Sequence, residues 1–80
     1  MARKARDLKS GDSFDVGVVL RELEDLGVID DAESDPYWEE SQSQEFEVED
    51  VKHETVDGKE IVIIYSVDGG NWAIPAETNI

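Results

Sequence analysis

"SFDVGVVLRELEDLG", residues 13–27, is the stretch on which the fold turns. Read with a period of two, Phe14, Val16, Val18 and Leu20 alternate with Asp15, Gly17, Val19 and Arg21, as in a half-buried strand. Read with a helical period, Val16, Val19, Leu20, Leu23 and Leu26 line one side, Asp15 is the N-cap and Gly27 follows the end. The second half, "LRELEDLG", has strong helix propensity, whereas "FDVGVV" does not. The β-branched residues favour a strand over 13–20, with 21–26 continuing it or making one helical turn. That makes the chain mainly β. The alternative is an α+β chain with a helix at about 16–26.

Toward the C-terminus the pattern is β throughout. "FEVEDVKHET" (46–55) turns Phe46, Val48 and Val51 to one face, with carboxylates between. "VDGK" (56–59) marks a hairpin, because Asp57-Gly58 suits a turn with two positive φ values. "EIVIIYSV" (60–67) is rich in β-branched residues and almost continuously apolar, which predicts burial on both faces. "DGGN" (68–71) is a second tight turn, "WAI" (72–74) a short strand, and Pro75 is expected to end its pairing. Four to five short antiparallel strands at hairpin spacing close most economically as a small barrel, which removes exposed edges. The expected core is Phe14, Val16, Val18, Leu20, Phe46, Val48, Ile61, Ile63, Tyr65, Val67, Trp72 and Ile74.

Eighty residues allow one domain with a marginal core, and the absence of Cys removes disulfides and thiolate metal sites. Residues 1–8 read as a flexible basic tail, 9–80 as one small β domain, with an acidic loop insert at about 28–44. No apolar signal core follows "MARKARDLK" and no apolar run is long enough to cross a bilayer, which points to the cytoplasm.

The net charge is −14, and from Ser10 onward Arg21, Lys52 and Lys59 stand against twenty carboxylates. Such a body repels nucleic-acid phosphates and anionic membranes, so direct nucleic-acid and membrane binding are excluded. Its partners are basic protein surfaces or cations, and the same acidity suits solubility or a salty cytoplasm. The charge is densest in "DDAESDPYWEESQSQEFEVED" (30–50), which holds ten carboxylates and no Lys or Arg. Asp30, Asp31, Glu33, Asp35, Glu39, Glu40, Glu45, Glu47 and Glu49, with the aromatic pair Tyr37–Trp38, form the candidate partner-binding surface. Trp38 would fold back onto the barrel as a lid, or the aromatic pair would anchor a partner that the carboxylates steer. On a strand, Glu45, Glu47 and Glu49 would project from one face about 6.5–7 Å apart. That is close to the phosphate spacing along one DNA strand, so the row would mimic phosphates.

Enzyme motifs fail on inspection. "GDS" (11–13) with "DVKH" (50–53) offers Ser13, His53 and Asp50 as a nucleophile, base and orienting carboxylate. The GDS-type hydrolases, however, need a longer α/β chain and further Gly and Asn blocks. A calcium loop beginning at Asp31 would place Pro36 where Gly is needed and Gln42 where Glu is needed. One His without Cys supports no zinc site, and Gly69-Gly70 lies between strands, where it makes a turn and not a phosphate cradle. No cofactor, metal or catalytic residue is expected.

Finally, "DLKSGDSFDVG" near the start and "DGKEIVIIYSVDGGNWAIPAETNI" at the end resemble small actinobacteriophage proteins with an SH3-like barrel. The likeness covers roughly 7–20 and 57–80 and rests on turn chemistry, with Ser10 where Pro is commoner. It implies an SH3-like barrel, a phage origin and a place in the host cytoplasm; the 30–44 insert has no counterpart in it, and it carries no catalytic residues. Together these readings predict a non-enzymatic acidic interaction module that binds a basic host or nucleic-acid-binding protein partly by charge mimicry. The alternatives are a structural virion or assembly component, or a salt-adapted small domain.

Overall fold

A computed structural model describes residues 3–80. Four antiparallel strands, β1 (Ser13–Phe14), β2 (Phe46–Val56), β3 (Lys59–Ser66) and β4 (Asn71–Pro75), form one curled sheet in the order β1-β2-β3-β4. Two helices, α1 (Val16–Asp25) and α2 (Trp38–Ser41), and 3₁₀ turns at Ala5–Asp7 and Ala32–Ser34 complete the chain.

The opening stretch is a helix. Only Ser13–Phe14 is extended, so the expected strand over 13–20 is corrected to a two-residue strand followed by α1. Asp15 holds extended dihedrals and its side chain accepts from Gly17 N at 2.8 Å, which caps the N-terminus. At the other end Gly27 takes a φ of 77°. Gly27 N donates to the Glu24 carbonyl at 3.0 Å and Val28 N to the Leu23 carbonyl at 2.9 Å, which closes the helix in a Schellman motif. Val16, Val19, Leu20 and Leu23 are buried on one face. Burial of that face, with a cap at each end, outweighs the poor helix propensity of three valines and a glycine. Gly17 itself is a contact residue: a Cβ there would lie 3.4 Å from Ser41 Oγ of α2. Val18, expected in the core, falls on the solvent side of the helix.

The 56–59 turn forms as its residues predict, with Asp57 and Gly58 at positive φ (52° and 78°). In β3 the buried face is the opposite of the expected one. Val62, Ile64 and Ser66 point inward, while Ile61, Ile63 and Tyr65 are half-buried on the outer face and Val67 is exposed. A continuous apolar run carries no alternation with which to choose a face. The choice follows from pairing: Ile64 stands opposite Val51 and Trp72, and Val62 opposite Ile74. In β2 the ladder steps two residues, from Val48 to Asp50, while β3 steps one, from Ser66 to Tyr65. Glu49 is therefore the extra residue of a bulge, and it bends the strand.

Pro75 does not end the pairing, because it stands opposite Ile61 and Ala76 N continues by donating to the Glu60 carbonyl at 3.0 Å. Ser66 N donates to the Gly70 carbonyl at 2.8 Å. These two bonds fix the alternation of bonded and non-bonded pairs. Val62/Ile74 and Ile64/Trp72 exchange hydrogen bonds; Tyr65/Asn71, Ile63/Ala73 and Ile61/Pro75 do not. The backbone groups of Asn71, Ala73 and Pro75 consequently face away from β3. Proline is tolerated because its missing N–H lies on that outer side.

Residues 3–8, expected as a tail with nothing to bury, carry Ala5 and Leu8 into the core. Ala5 N donates to the Thr78 carbonyl at 2.8 Å, Arg6 N to Ala76 at 3.1 Å and Ile80 N to Arg3 at 2.9 Å, so the two terminal segments are stitched together. The Arg3 guanidinium donates to the Ser13 carbonyl. The core is completed by Phe14, Phe46, Val48, Trp72 and Ile74, with Tyr37 and Trp38 packed against it.

Candidate interaction surface

The segment between α1 and β2 is held by its own aspartates. Asp31 accepts from Glu33 N (3.1 Å) and Ser34 Oγ (3.0 Å), and so starts the 3₁₀ turn that buries Ala32. Asp35 accepts from Tyr37 N at 2.9 Å and turns the chain into α2. The insert expected as a loop therefore contains two short helical turns. Across the molecule Asp7, Asp12, Asp15 and Asp50 likewise accept backbone N–H groups. Among the described residues Glu24, bonded to Ala32 N at 3.2 Å, is the one glutamate with such a bond. Aspartate, with its short side chain, is spent on turns and caps, and glutamate is left to solvent.

Tyr37 and Trp38 have separate tasks. Tyr37 meets Trp72 edge-on at 5.3 Å and Phe46 at 5.9 Å, extending the edge-to-face cluster of Phe14, Phe46 and Trp72. It is the lid. Trp38 lies under the Arg21 guanidinium, 4.8 Å from the ring centroid. Arg21 also donates to Glu33 Oε2 at 3.1 Å and Glu24 Oε1 at 3.4 Å. Its pKa is raised, first by the bond to Glu33, so the cation persists at any working pH.

Glu33 is the one carboxylate of residues 30–50 with a cationic partner among the described residues. Asp30, Asp31, Glu39, Glu40, Glu45, Glu47 and Glu49 are exposed, and Asp35 is half-buried. Glu40 accepts from Gln44 Nε2 at 2.8 Å. The expected straight row Glu45–Glu47–Glu49 is altered at one end, because Glu49 sits in the bulge and Asp50 follows it opposite Tyr65. Ser13 and His53 are not brought together. Ser13 pairs with Glu47, and His53 lies six positions further along β2, about 20 Å along the strand.

Beside this segment lies a groove of about 490 Å³ that the sequence did not reveal. Leu23 of α1, with Val28 and Ile29 just beyond the helix, forms one wall, Pro36 and Tyr37 another, and Trp72 and Ala73 of β4 the floor. Asp35 is its one charged lining residue. Val28, 66% exposed, stands at its mouth. Gly70 closes the turn end, where a Cβ would fall 2.5 Å from the Trp72 ring. Its members come from four separate stretches of chain, so no local pattern announces them; the exposed "VI" after Gly27 was the one available signal.

Among the described residues, no helix is long and apolar enough to cross a membrane. Among the described residues, no three His, Asp or Glu side chains are grouped so as to hold a metal ion. Comparison with protein-family models, curated proteins and solved structures gives no match.

Proposed function

We propose that this chain is a non-enzymatic acidic interaction module, which binds a basic protein surface by placing carboxylates where nucleic-acid phosphates would sit. One observation carries this reading: of ten carboxylates in residues 30–50, Glu33 alone has a cationic partner among the described residues. Unneutralised charge held on an ordered surface raises the encounter rate with a cationic protein and selects against anionic ones. Glu39, Glu40, Glu45, Glu47 and Glu49 supply the charge, and the partly exposed Trp38 supplies apolar contact. The sheet serves as an SH3-like framework, a reading supported by its curl and by the turn chemistry at "LKSGD" and "VDGGNW". A phage protein acting on a host nucleic-acid-binding factor in the cytoplasm fits the same turn chemistry.

The test is affinity capture from a bacterial lysate at low and high salt, using wild type and a variant with Glu39, Glu40, Glu45 and Glu47 changed to Gln. The expected result is capture of basic proteins that falls steeply with salt and is lost in the variant. Capture independent of salt, or equal in the variant, removes the proposal. An assembly role remains the second reading, favoured by the open outer side of β4.

A further inference from the structure

We infer that the outer edge of β4 and the adjoining groove together bind an extended basic segment of the partner protein, which adds to the sheet as a further strand. This rests on the acidic-module reading and specifies its ligand. Three observations converge on it.

The first is the edge. Among the described residues, no backbone group of Asn71–Ile74 bonds to anything outside the sheet, and only the Pro75 carbonyl is taken, accepting from Thr78 N at 3.0 Å. The N–H and C=O groups of Asn71 and Ala73 face outward and are free to pair, as the pairing alternation requires. Such a row is a template for another strand. It is also short and lacks one donor, which suits capture of a brief segment better than open-ended stacking.

The second is the groove. It runs along the Asn71–Ala73 half of that edge and is floored by Trp72 and Ala73. A strand laid against β4 sends alternate side chains to the inner side of the sheet. There they meet Leu23, Val28, Ile29 and Tyr37, which form an apolar seat for an aliphatic side chain.

The third is charge. No Lys or Arg lines the groove. Asp35 lines it, Asp30 and Asp31 lie just before it in the same segment, and Asp68 sits in the adjoining turn. At the Pro75 end the surroundings change to Arg6 and Lys59 beside Glu60 and Glu77. The segment that matches has alternating apolar residues and concentrates its Lys or Arg at the Asn71 end.

The probe is a short synthetic peptide alternating Lys with Val and Leu, titrated into the full chain at low and high salt. Its counterpart carries N-methyl groups on the backbone amides that would face β4. The expected result is binding in which the Asn71 and Ala73 amides shift and gain protection from exchange. Methylation should weaken it at least about tenfold, as should Ala73→Pro, which removes an outward N–H without touching the β3 ladder. Equal binding of the methylated peptide overturns the edge proposal while leaving the acidic-module reading standing. Failure of the module reading looks different: neither peptide binds, and lysate capture ignores salt. Concentration-dependent dimerisation abolished by Ala73→Pro, with no peptide bound, overturns the proposal in favour of a second copy of this chain. Should Ala73→Pro fail to fold, the two peptides on wild type decide the matter alone.

Discussion

The two ends of β4 solve the problem of charge in opposite ways. At the Pro75 end, Lys4 and Arg6 share Glu77 at 2.8 and 2.7 Å, and the segments 3–6 and 76–80 are bonded to each other. Positive and negative groups meet there, and the result is closure. At the Asn71 end, an aromatic floor lies beside carboxylates that have almost no cations to answer them. Arg21 is the exception; it projects from α1 over the Trp38 ring and does not line the groove. One end is completed by the chain itself and the other is completed by something else. Neutralisation, more than acidity as such, separates the scaffold from the surface.

The strongest way to break this contrast is to remove the floor. Trp72→Ala deletes the ring against which Phe14, Phe46 and Tyr37 pack. Urea denaturation should show a loss of about 3–5 kcal/mol. Gly70→Ala probes the same end more gently: the added Cβ would meet the Trp72 ring, and overpacking of this kind costs about 1–3 kcal/mol. Asp15→Ala removes the cap that starts α1 and should cost about 1 kcal/mol, with loss of helical circular dichroism.

Smaller effects sharpen the electrostatic side. Changing Glu39, Glu40, Glu45 and Glu47 to Gln should raise the urea midpoint in dilute buffer and flatten its rise with added salt, because salt and substitution relieve the same repulsion. Glu77→Gln should shift the midpoint least, since exposed ion pairs contribute little. Its signature is in pH. The bond from Lys4, with the Arg6 charge nearby, holds the Glu77 carboxyl below the ordinary carboxylate range. A depressed folded pKa contributes stability that is present at neutral pH and vanishes as pH falls through it. Wild type and Glu77→Gln should therefore differ slightly at neutral pH and converge in strong acid.

Much of the sheet was legible because its turns are written locally. Asp57-Gly58 marks its hairpin in two residues, and β2, β3 and β4 follow with nearly the expected limits. The helix was written too, in Asp15 and Gly27, but three valines argued the other way. Only the buried face, formed with distant strands, decides between those signals. The same distance hides the inward side of β3 and the docking of Ala5, whose backbone partner Thr78 lies near the opposite end of the chain. For the candidate surface, the exposure of the glutamates follows from composition. The division of labour between Tyr37 and Trp38 does not, because Arg21 and Trp72 are remote in sequence. The groove and the open edge are properties of the assembled fold alone.

The two tryptophans also make the molecule its own optical instrument. Trp72, wedged edge-on among other rings, should dominate the near-ultraviolet circular dichroism and lose that signal with the core. Trp38, half-buried beneath a guanidinium, should change its emission whenever that cation is drawn elsewhere. Each indole can be silenced by a Phe replacement, so melting of the interior and engagement of the rim can be followed in one cuvette without attaching a dye.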